Sequence, residues 1–461
     1  MMAVSDAAFA LGAEHIGGNP VFTSVGTDSR HVQPGELFIA LRGPHFDAHH
    51  YLAAAQAAGA VAAMVDVEGA AQGALLPPGL PLIVVNNTRA GLTQLASAWR
   101  GRFAMPLVAL TGSNGKTTVK EILAAILRAA TTGTTSAVLA TRGNLNNDIG
   151  VPLTLLALRA EHRYAVIELG MNHAGEISRL TRLAKPDVAL INNAGRAHIE
   201  HLGSEEAIAR AKGEIFEGLA GNGVAVINAD DAHAALWREL CNKNKTLSFG
   251  VDQPADIGAT YALRALDSDI HLATPAGTVS ATLNAPGLHN VRNALAACAA
   301  AFALGVPLAA MAAGLSCYAG VKGRLQRKPA HAGATLIDDT YNANPESMRA
   351  AIDVLARAPG KRLLVLGDMG ELGERAAACH TEIGAYARAA GIEHLMALGD
   401  LSAHTVVAFG AGARHFSSIE TLLAAVEHAL SPEQTILVKG SRFMQMERVV
   451  KAFAVEAAAR S

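Results

Sequence analysis

This 461-residue chain has few cysteines, few aromatics and no excess of either charge, and each scarcity removes a class of function. Lysine and arginine number 38 against 40 aspartates and glutamates, a formal net charge of −2. That balance leaves no electrostatic footprint for nucleic acid or an anionic membrane surface. The four cysteines, Cys241, Cys298, Cys317 and Cys379, are scattered without CxxC spacing. They argue against a zinc site or a disulfide frame and for reduced thiols in a cytoplasmic protein. Aromatics are only 4% of a chain that is 51% hydrophobic, so Ala, Val, Leu and Ile must carry the core. Such a core suits helices packed on parallel sheets. The start, "MMAVSDAAFALGAEHIGG", lacks a basic region, and Asp6 and Glu14 break its apolar residues, so no secretory leader is expected. Ala294–Val321 carries no charge, but it is mostly alanine and is interrupted by Gly305 and Pro307. It predicts two buried helices, about 290–304 and 308–316, and no membrane span.

What is present is alternation of strand-like and helix-like stretches, which predicts an α/β protein of three domains. Residues 1–87 read as a small α/β domain, with "ELFIAL" and "LPLIVV" as strands and a helix stopped at Gly59. Residues 88–320 read as a central domain with a mostly parallel sheet. Its strands are "MPLVAL", "RYAVIEL", "DVALINN" and "GVAVIN", and a small antiparallel insert is expected at about 246–286. Residues 321–461 read as a Rossmann-like domain with strands "ATLIDD", "RLLVLGD", "HLMALGD", "TVVAFG" and "TILVKG". Its helices are expected to begin near Pro345, Glu374, Ile419 and Met444. No GxGxxG follows its first strand, so dinucleotide binding is not indicated.

The stretch "LTGSNGKTT" carries the chemistry. A strand, then Gly112-Ser113-Asn114-Gly115-Lys116-Thr117-Thr118, then a helix is the context of a phosphate loop. Glycines let backbone N–H groups curl around an anion, and the helix N-terminus adds partial positive charge. Lys116 can reach outer phosphates and the Thr117 hydroxyl can ligate Mg2+. Leu110 stands where GxxxxGK[ST] asks for its first glycine. A metal-holding acid should close a neighbouring strand, and Glu168 does so at the end of "RYAVIEL". His198 and His201 lie in the polar loop "AGRAHIEHLGS" after the next strand. By composition alone Lys212, in the helical "AIARAKGEIFEGL", is a surface lysine and Arg324 a linker arginine. The residues by themselves reach an enzyme that uses Mg-ATP and an undetermined second substrate.

Taken together, "TGSNGKTT", "IELGMNHAGEI", "NNAGRAHIEHLGS", "AKGEIFEGL", "GLHNVRNALAA", "GRLQ" and "DDTYNANPESM" occur in an order that resembles the Mur ligase family of ATP-dependent amide-forming enzymes. "TRGNLNNDIGVPLTLL", "YNANPESM" and "LGDMGELGE" are most similar to the branch that adds D-alanyl-D-alanine to a UDP-N-acetylmuramoyl-tripeptide. The resemblance implies ATP and two Mg2+ ions, a UDP-sugar-binding first domain, a cytoplasmic monomer, and no nucleic acid or membrane partner. It implies metal-holding roles for Thr117, Glu168, His198 and a carbamylated Lys212. Lys116, Lys212, His198 and Arg324 would be catalytic. Asn293 would contact adenine, Asp339 the ribose, and Arg324 the phosphates. "DSR" and "FDAH" suggest Ser29, Arg30 and Asp47 for the precursor, and "TRGNLNND" suggests Asn144, Asn146 and Asn147. A hinge is expected near Gly320–Arg324. A sibling ligase adding a single amino acid, or a P-loop NTPase that does not ligate, remains open on these residues.

Overall fold

The structure is a computed structural model that describes residues 1–131, 135–196, 199–241, 244–265 and 267–455. Three sheets organise it. The first has the strand order Glu14–Ile16, Leu82–Val85, Ala62–Asp66, Glu36–Ile39, Ser24–Gly26. Only the Glu14–Ile16 edge is antiparallel. Side chains alternate across such a strand, and here the alternation feeds two cores. Phe38, Ala63 and Val65 pack over Leu52 and Ala55 of one helix. Leu37, Ile39, Met64 and Ile83 face the helix Thr88–Arg100. That helix buries Leu92, Leu95, Ala96 and Trp99 in a cluster shared with the second sheet.

The second sheet is wholly parallel, in the order Val138–Ala140, Tyr164–Glu168, Leu107–Thr111, Val188–Ile191, Val224–Asn228, Lys245–Phe249. Val108, Leu110, Val166 and Leu190 point to the helices Lys116–Ala130 and Leu288–Ala303. Leu107, Ala109, Ile167 and Ile191 point to the opposite face. Both faces are covered, so the strands read as continuous apolar runs. The uncharged stretch supplies most of the helix Leu288–Ala303 and all of the helix Leu308–Cys317. A Cβ on Gly314 would stand 2.4 Å from the Ile126 Cα, so glycine is what lets the second of these press on the phosphate-loop helix. No helix among the described residues is long and apolar enough to cross a membrane.

The third sheet runs Gln326–Pro329, Thr335–Asp339, Gln434–Lys439, Lys361–Gly367, His394–Leu398, Ala413–Phe416, antiparallel only at its first strand. Two expectations are corrected. "TVVAFG" is not a strand but the end of the helix Ser402–Phe409, and the strand is Ala413–Phe416. Ser402, Thr405 and Phe409 are the buried positions, a spacing of three and four that belongs to a helix. The antiparallel insert spans Gly258–Leu283, while Lys245–Phe249 joins the parallel sheet as its edge. The helices expected near Glu374 and Met444 are there, beginning at Ala376 and Glu447 after short 3-10 turns.

Candidate active site

Because all six central strands run the same way, their carboxyl ends meet at one edge, where open α/β sheets bind ligands. Leu107–Thr111 lies between Tyr164–Glu168 and Val188–Ile191. The 112–115 loop is therefore flanked by Glu168 on one side and by Asn192 and Asn193 on the other. Gly115 has φ 78°, and a Cβ there would stand 2.2 Å from Asn293 Oδ1 and 2.6 Å from Asn192 Nδ2. Asn192 Nδ2 donates to Asn293 Oδ1 and to Asn114 O, both at 2.9 Å. Asn193 Oδ1 accepts from Asn114 N at 2.8 Å. This asparagine clasp fixes the shape of the loop. The sequence reading passed over it, although two polar residues closing a buried strand were the available signal.

Lys116 Nζ folds back to Gly112 O at 2.7 Å and Ser113 O at 3.4 Å. Burial pushes its pKa down, the Glu168 charge opposes that, and the Arg324 charge adds to it. Thr117 Oγ1 donates to Glu168 Oε2 at 3.0 Å and accepts from Arg324 Nη2 at 3.0 Å. The Arg324 guanidinium also lies 4.3 Å from the centre of the Tyr341 ring, a cation–π contact. Glu168 is 2% exposed, and its other oxygen accepts from Asn146 Nδ2 at 2.8 Å. Lys120, also buried and unassigned from sequence, donates to Thr141 O at 2.5 Å and stands 4.0 Å from Glu168 Oε2.

Lys212 corrects its composition-based reading. It is 2% exposed, on the helix Glu205–Gly213 beside buried Ala209 and Ala211. Burial drives its pKa well below the ordinary lysine value, and the Lys116 charge pushes the same way. Asp339 Oδ2 accepts from Lys439 Nζ at 2.6 Å, and Asp339 Oδ1 accepts from Leu325 N at 3.1 Å. Burial raises its pKa and Lys439 counters the rise. Arg324 likewise is no linker arginine on a solvated face, since it reaches the loop. Its cleft of about 1310 Å³ is lined by Lys116, Glu168, Asn293, Arg324, Asp339 and Lys439 among others.

Residues 21–100 match the Mur ligase family catalytic domain, 110–301 the Mur ligase middle domain, and 323–442 the Mur ligase glutamate ligase domain. The chain belongs to the Mur ligase family. It is 44% identical to the UDP-N-acetylmuramoyl-tripeptide–D-alanyl-D-alanine ligase of Escherichia coli K12, over 96% of each chain. The Bacillus subtilis 168 ligase of the same name is 36% identical over 94% of this chain and 93% of its own. Among solved structures, MurF from Acinetobacter baumannii superposes with a TM-score of 0.88 at 36% identity, over 98% of both chains. MurF from Thermotoga maritima in complex with ADP gives 0.80 at 27%, over 94% and 97%.

The remaining sequence-chosen residues of this Mur ligase fall in different places. Asn146 reaches the cleft through Glu168. Asn147 Oδ1 instead accepts from Ile149 N and Gly150 N at 3.2 and 2.9 Å, holding the turn into the next helix. Asn144 is exposed. Ser29, Arg30 and Asp47 do not line the cleft. Arg30 forks onto Asp28 with two 2.8 Å bonds, which hold that carboxyl below the usual range. Asp47 accepts from His49 and lies 3.4 Å from Arg42, so its carboxylate serves the first domain's internal network. His198 lies outside the described residues, as does the side chain of His201.

Among the described residues no group of three or more His, Cys, Asp or Glu is arranged to hold a metal ion. Mg2+ does not require one. It keeps several waters and takes one or two carboxylates together with phosphate oxygens. Thr117 Oγ1 and Glu168 Oε2, 3.0 Å apart at the phosphate loop, are the hard oxygen donors such an ion needs.

Proposed function

We propose that this Mur ligase joins D-alanyl-D-alanine to a UDP-N-acetylmuramoyl-tripeptide, with ATP as phosphoryl donor, in cytoplasmic peptidoglycan precursor synthesis. The reading rests on near full-length identity to ligases of that name, together with one observation. A single run of contacts, Arg324–Thr117–Glu168–Asn146, joins the third domain, the phosphate loop and the "TRGNLNND" loop.

In this reading the loop Gly112–Thr118 cradles the polyphosphate: Asn193 fixes the Ser113 and Asn114 amides, and the amides at the start of the helix, Gly115 to Thr118, face the phosphates. Lys116 turns from its own loop carbonyls to the β- and γ-phosphates. Asn293 takes the adenine, Asp339 the ribose and Arg324 the phosphates. Thr117, Glu168, His198 and a carbamylated Lys212 would hold two Mg2+ ions, which would supply positive charge beside the transferring phosphoryl group. The low pKa of Lys212 supports carbamylation, because only the neutral amine adds to carbon dioxide. We assign Ser29, Arg30, Asp47, Asn144, Asn146 and Asn147 to the precursor, the first three on a domain whose residues would have to approach the cleft.

The tripeptide carboxylate, placed in line, accepts the γ-phosphoryl group and becomes an acyl phosphate while ADP departs. The dipeptide amine then attacks the acyl carbon, the C–O bond to phosphate breaks, and one proton is released with the amide. One chain supplies every group named, so a monomer suffices. The test is ADP release from ATP and UDP-N-acetylmuramoyl-tripeptide, with D-alanyl-D-alanine added or withheld. Strict dependence on the dipeptide is the expected result, and ATP hydrolysis indifferent to it would overturn the reading.

A further inference from the structure

Between the central and third domains lies a group of four charged side chains that the chemistry above does not use. Arg196, in the loop after the strand Val188–Ile191, crosses to the third domain. Its Nε donates to Glu346 Oε1 at 2.5 Å, and its two terminal nitrogens reach the Glu382 oxygens at 3.4 Å. Glu346 is on the helix Pro345–Ala356 and Glu382 on the helix Ala376–Ala389. Arg349, from the same helix as Glu346, pairs with Glu382. All four side chains are partly buried. The two carboxylates raise the Arg196 pKa still further against the effect of its burial, so the arginine is a permanent cation here.

The central-domain end of this group is tied to the phosphate loop. Gly195 N donates to Ser113 Oγ at 2.9 Å, and Ser113 Oγ donates to Gly195 O at 3.2 Å. Arg196 therefore begins from a backbone locked to the loop. A second tie runs beside it. Asn344 Nδ2 donates to Asn114 Oδ1 at 2.8 Å, while Asn344 Oδ1 accepts from Ser347 N and caps the same helix. The N-terminal turn of that helix thus meets the central domain at two points, a neutral one on the phosphate loop and an ionic one on Arg196.

Charge makes the ionic point two-sided. Docked, two arginines balance two glutamates. Undocked, Glu346, Glu382 and Arg349 leave the third domain with one excess negative charge, and Arg196 leaves the central domain with one excess positive charge. Glu346 Oε2 and Arg349 Nε are buried without a hydrogen-bond partner, so the contacts to Arg196 and Glu382 are what offset the desolvation of these two side chains. An isolated exposed pair would add little. A partly buried network whose members share partners is where coupling becomes measurable. The chain crossing, with Gly320 and Gly323 at φ 80° and 72°, provides glycines where the backbone turns left-handed.

We propose that Arg196 is a positioning residue. Through Glu346 and Glu382 it seats the third domain, and with it Arg324, on the phosphate loop. Its kinetic consequence rests on the ligase reading, while its structural consequence does not. Arg196→Gln should lower kcat about tenfold, a mid-range coupling for contacting members of one ion network. The KM for the UDP precursor and the melting temperature should stay near wild type. Arg196→Glu should be worse, and Arg196→Glu with Glu382→Arg should recover most of the loss.

A distance measurement separates this inference from the ligase reading. Spin labels at Glu205→Cys and Glu420→Cys, in a Cys317→Ser background and without any substrate, should give one narrow distance in the wild type. Arg196→Gln should give a broadened one, and the charge swap should narrow it again. An unchanged distance distribution in Arg196→Gln overturns the proposal. So does full kcat in that variant, or a charge swap no better than Arg196→Glu alone. Dipeptide-independent ATP hydrolysis with the distance pattern intact would overturn the ligase reading and leave the seating of the third domain standing.

Discussion

Lys212 in the central domain and Lys439 in the third are buried alike, 2% and 3% exposed, yet their surroundings give them opposite chemistry. Lys439 Nζ lies 2.6 Å from Asp339 Oδ2 and 2.9 Å from Asn342 O, so its ammonium is neutralised where it sits. Lys212 lies among alanines in the field of Lys116, and both burial and that charge drive it toward the neutral amine. Burial alone disfavours the charged form of any lysine. The neighbour then decides whether a buried ammonium is balanced in place or driven toward the neutral amine. In this Mur ligase the central sheet edge is left electrostatically unfinished, and the third-domain edge is closed on its Lys439 side by an ion pair whose Asp339 still lines the cleft.

The sharpest way to break the contrast is at the unfinished edge. Lys116→Ala should cut dipeptide-dependent ADP release about 1000-fold, the upper range for losing one preorganised charge donor. The fold should survive, as judged by circular dichroism. Next is Lys212→Ala, expected to lose about 100-fold in kcat. Acetate or formate should restore part of it by supplying a carboxylate in the space left by the shortened side chain. A fully active Lys212→Ala would return that lysine to a packing role.

Lys439→Ala tests the closed edge and should behave differently. It strands Asp339 as an unpaired buried carboxylate, which costs about 3–5 kcal/mol of stability. Thermal unfolding should show the loss and small carboxylates should not repair it. Lys439→Met with Asp339→Leu, which removes both charges, should be more stable than the single change. If Lys439→Ala were as stable as wild type, the ion pair would not be what closes that edge.

The smallest effect is expected in the first domain, where polar groups satisfy one another. Burial would raise the Asp47 and Asp66 pKa values, but hydrogen bonds from His49, Arg42 and Gly69 outweigh it and lower both. An acid whose folded pKa is lowered adds stability above its unfolded value of about 3.9 and loses it as pH falls through the folded value. Acid titration should therefore loosen the first domain below about pH 4. Asp66→Asn should flatten that dependence, readable as a smaller change in melting temperature between pH 6 and pH 3. An unchanged acid sensitivity would remove Asp66 from the account.

Legibility in the sequence followed the range of the interactions involved. Strand runs such as "RYAVIEL" and the glycine-bracketed phosphate loop were readable because local pattern fixes them. "TVVAFG" misled because a short apolar run suits either a strand or a helix, and the buried positions of Ser402 and Thr405 appear only once the helix is packed. Asn192 and Asn193 went unassigned because their partners are Asn114, 78 to 79 positions earlier, and Asn293, 101 positions later. Lys120 was hidden in an amphipathic helix, where a lysine ordinarily points to water.

The sequence by itself determined the alternation of strands and helices, the anion-gripping turn at Gly112–Thr118 and the family resemblance, since each is written in neighbouring residues. Tertiary structure alone decided that Lys212 is desolvated, that Asp339 is paired with Lys439, and that Arg196 reaches Glu346 and Glu382. The physical reason is that desolvation and Coulomb energy depend on distance in space, and residues 150 to 186 positions apart come within bonding range only after the domains have packed.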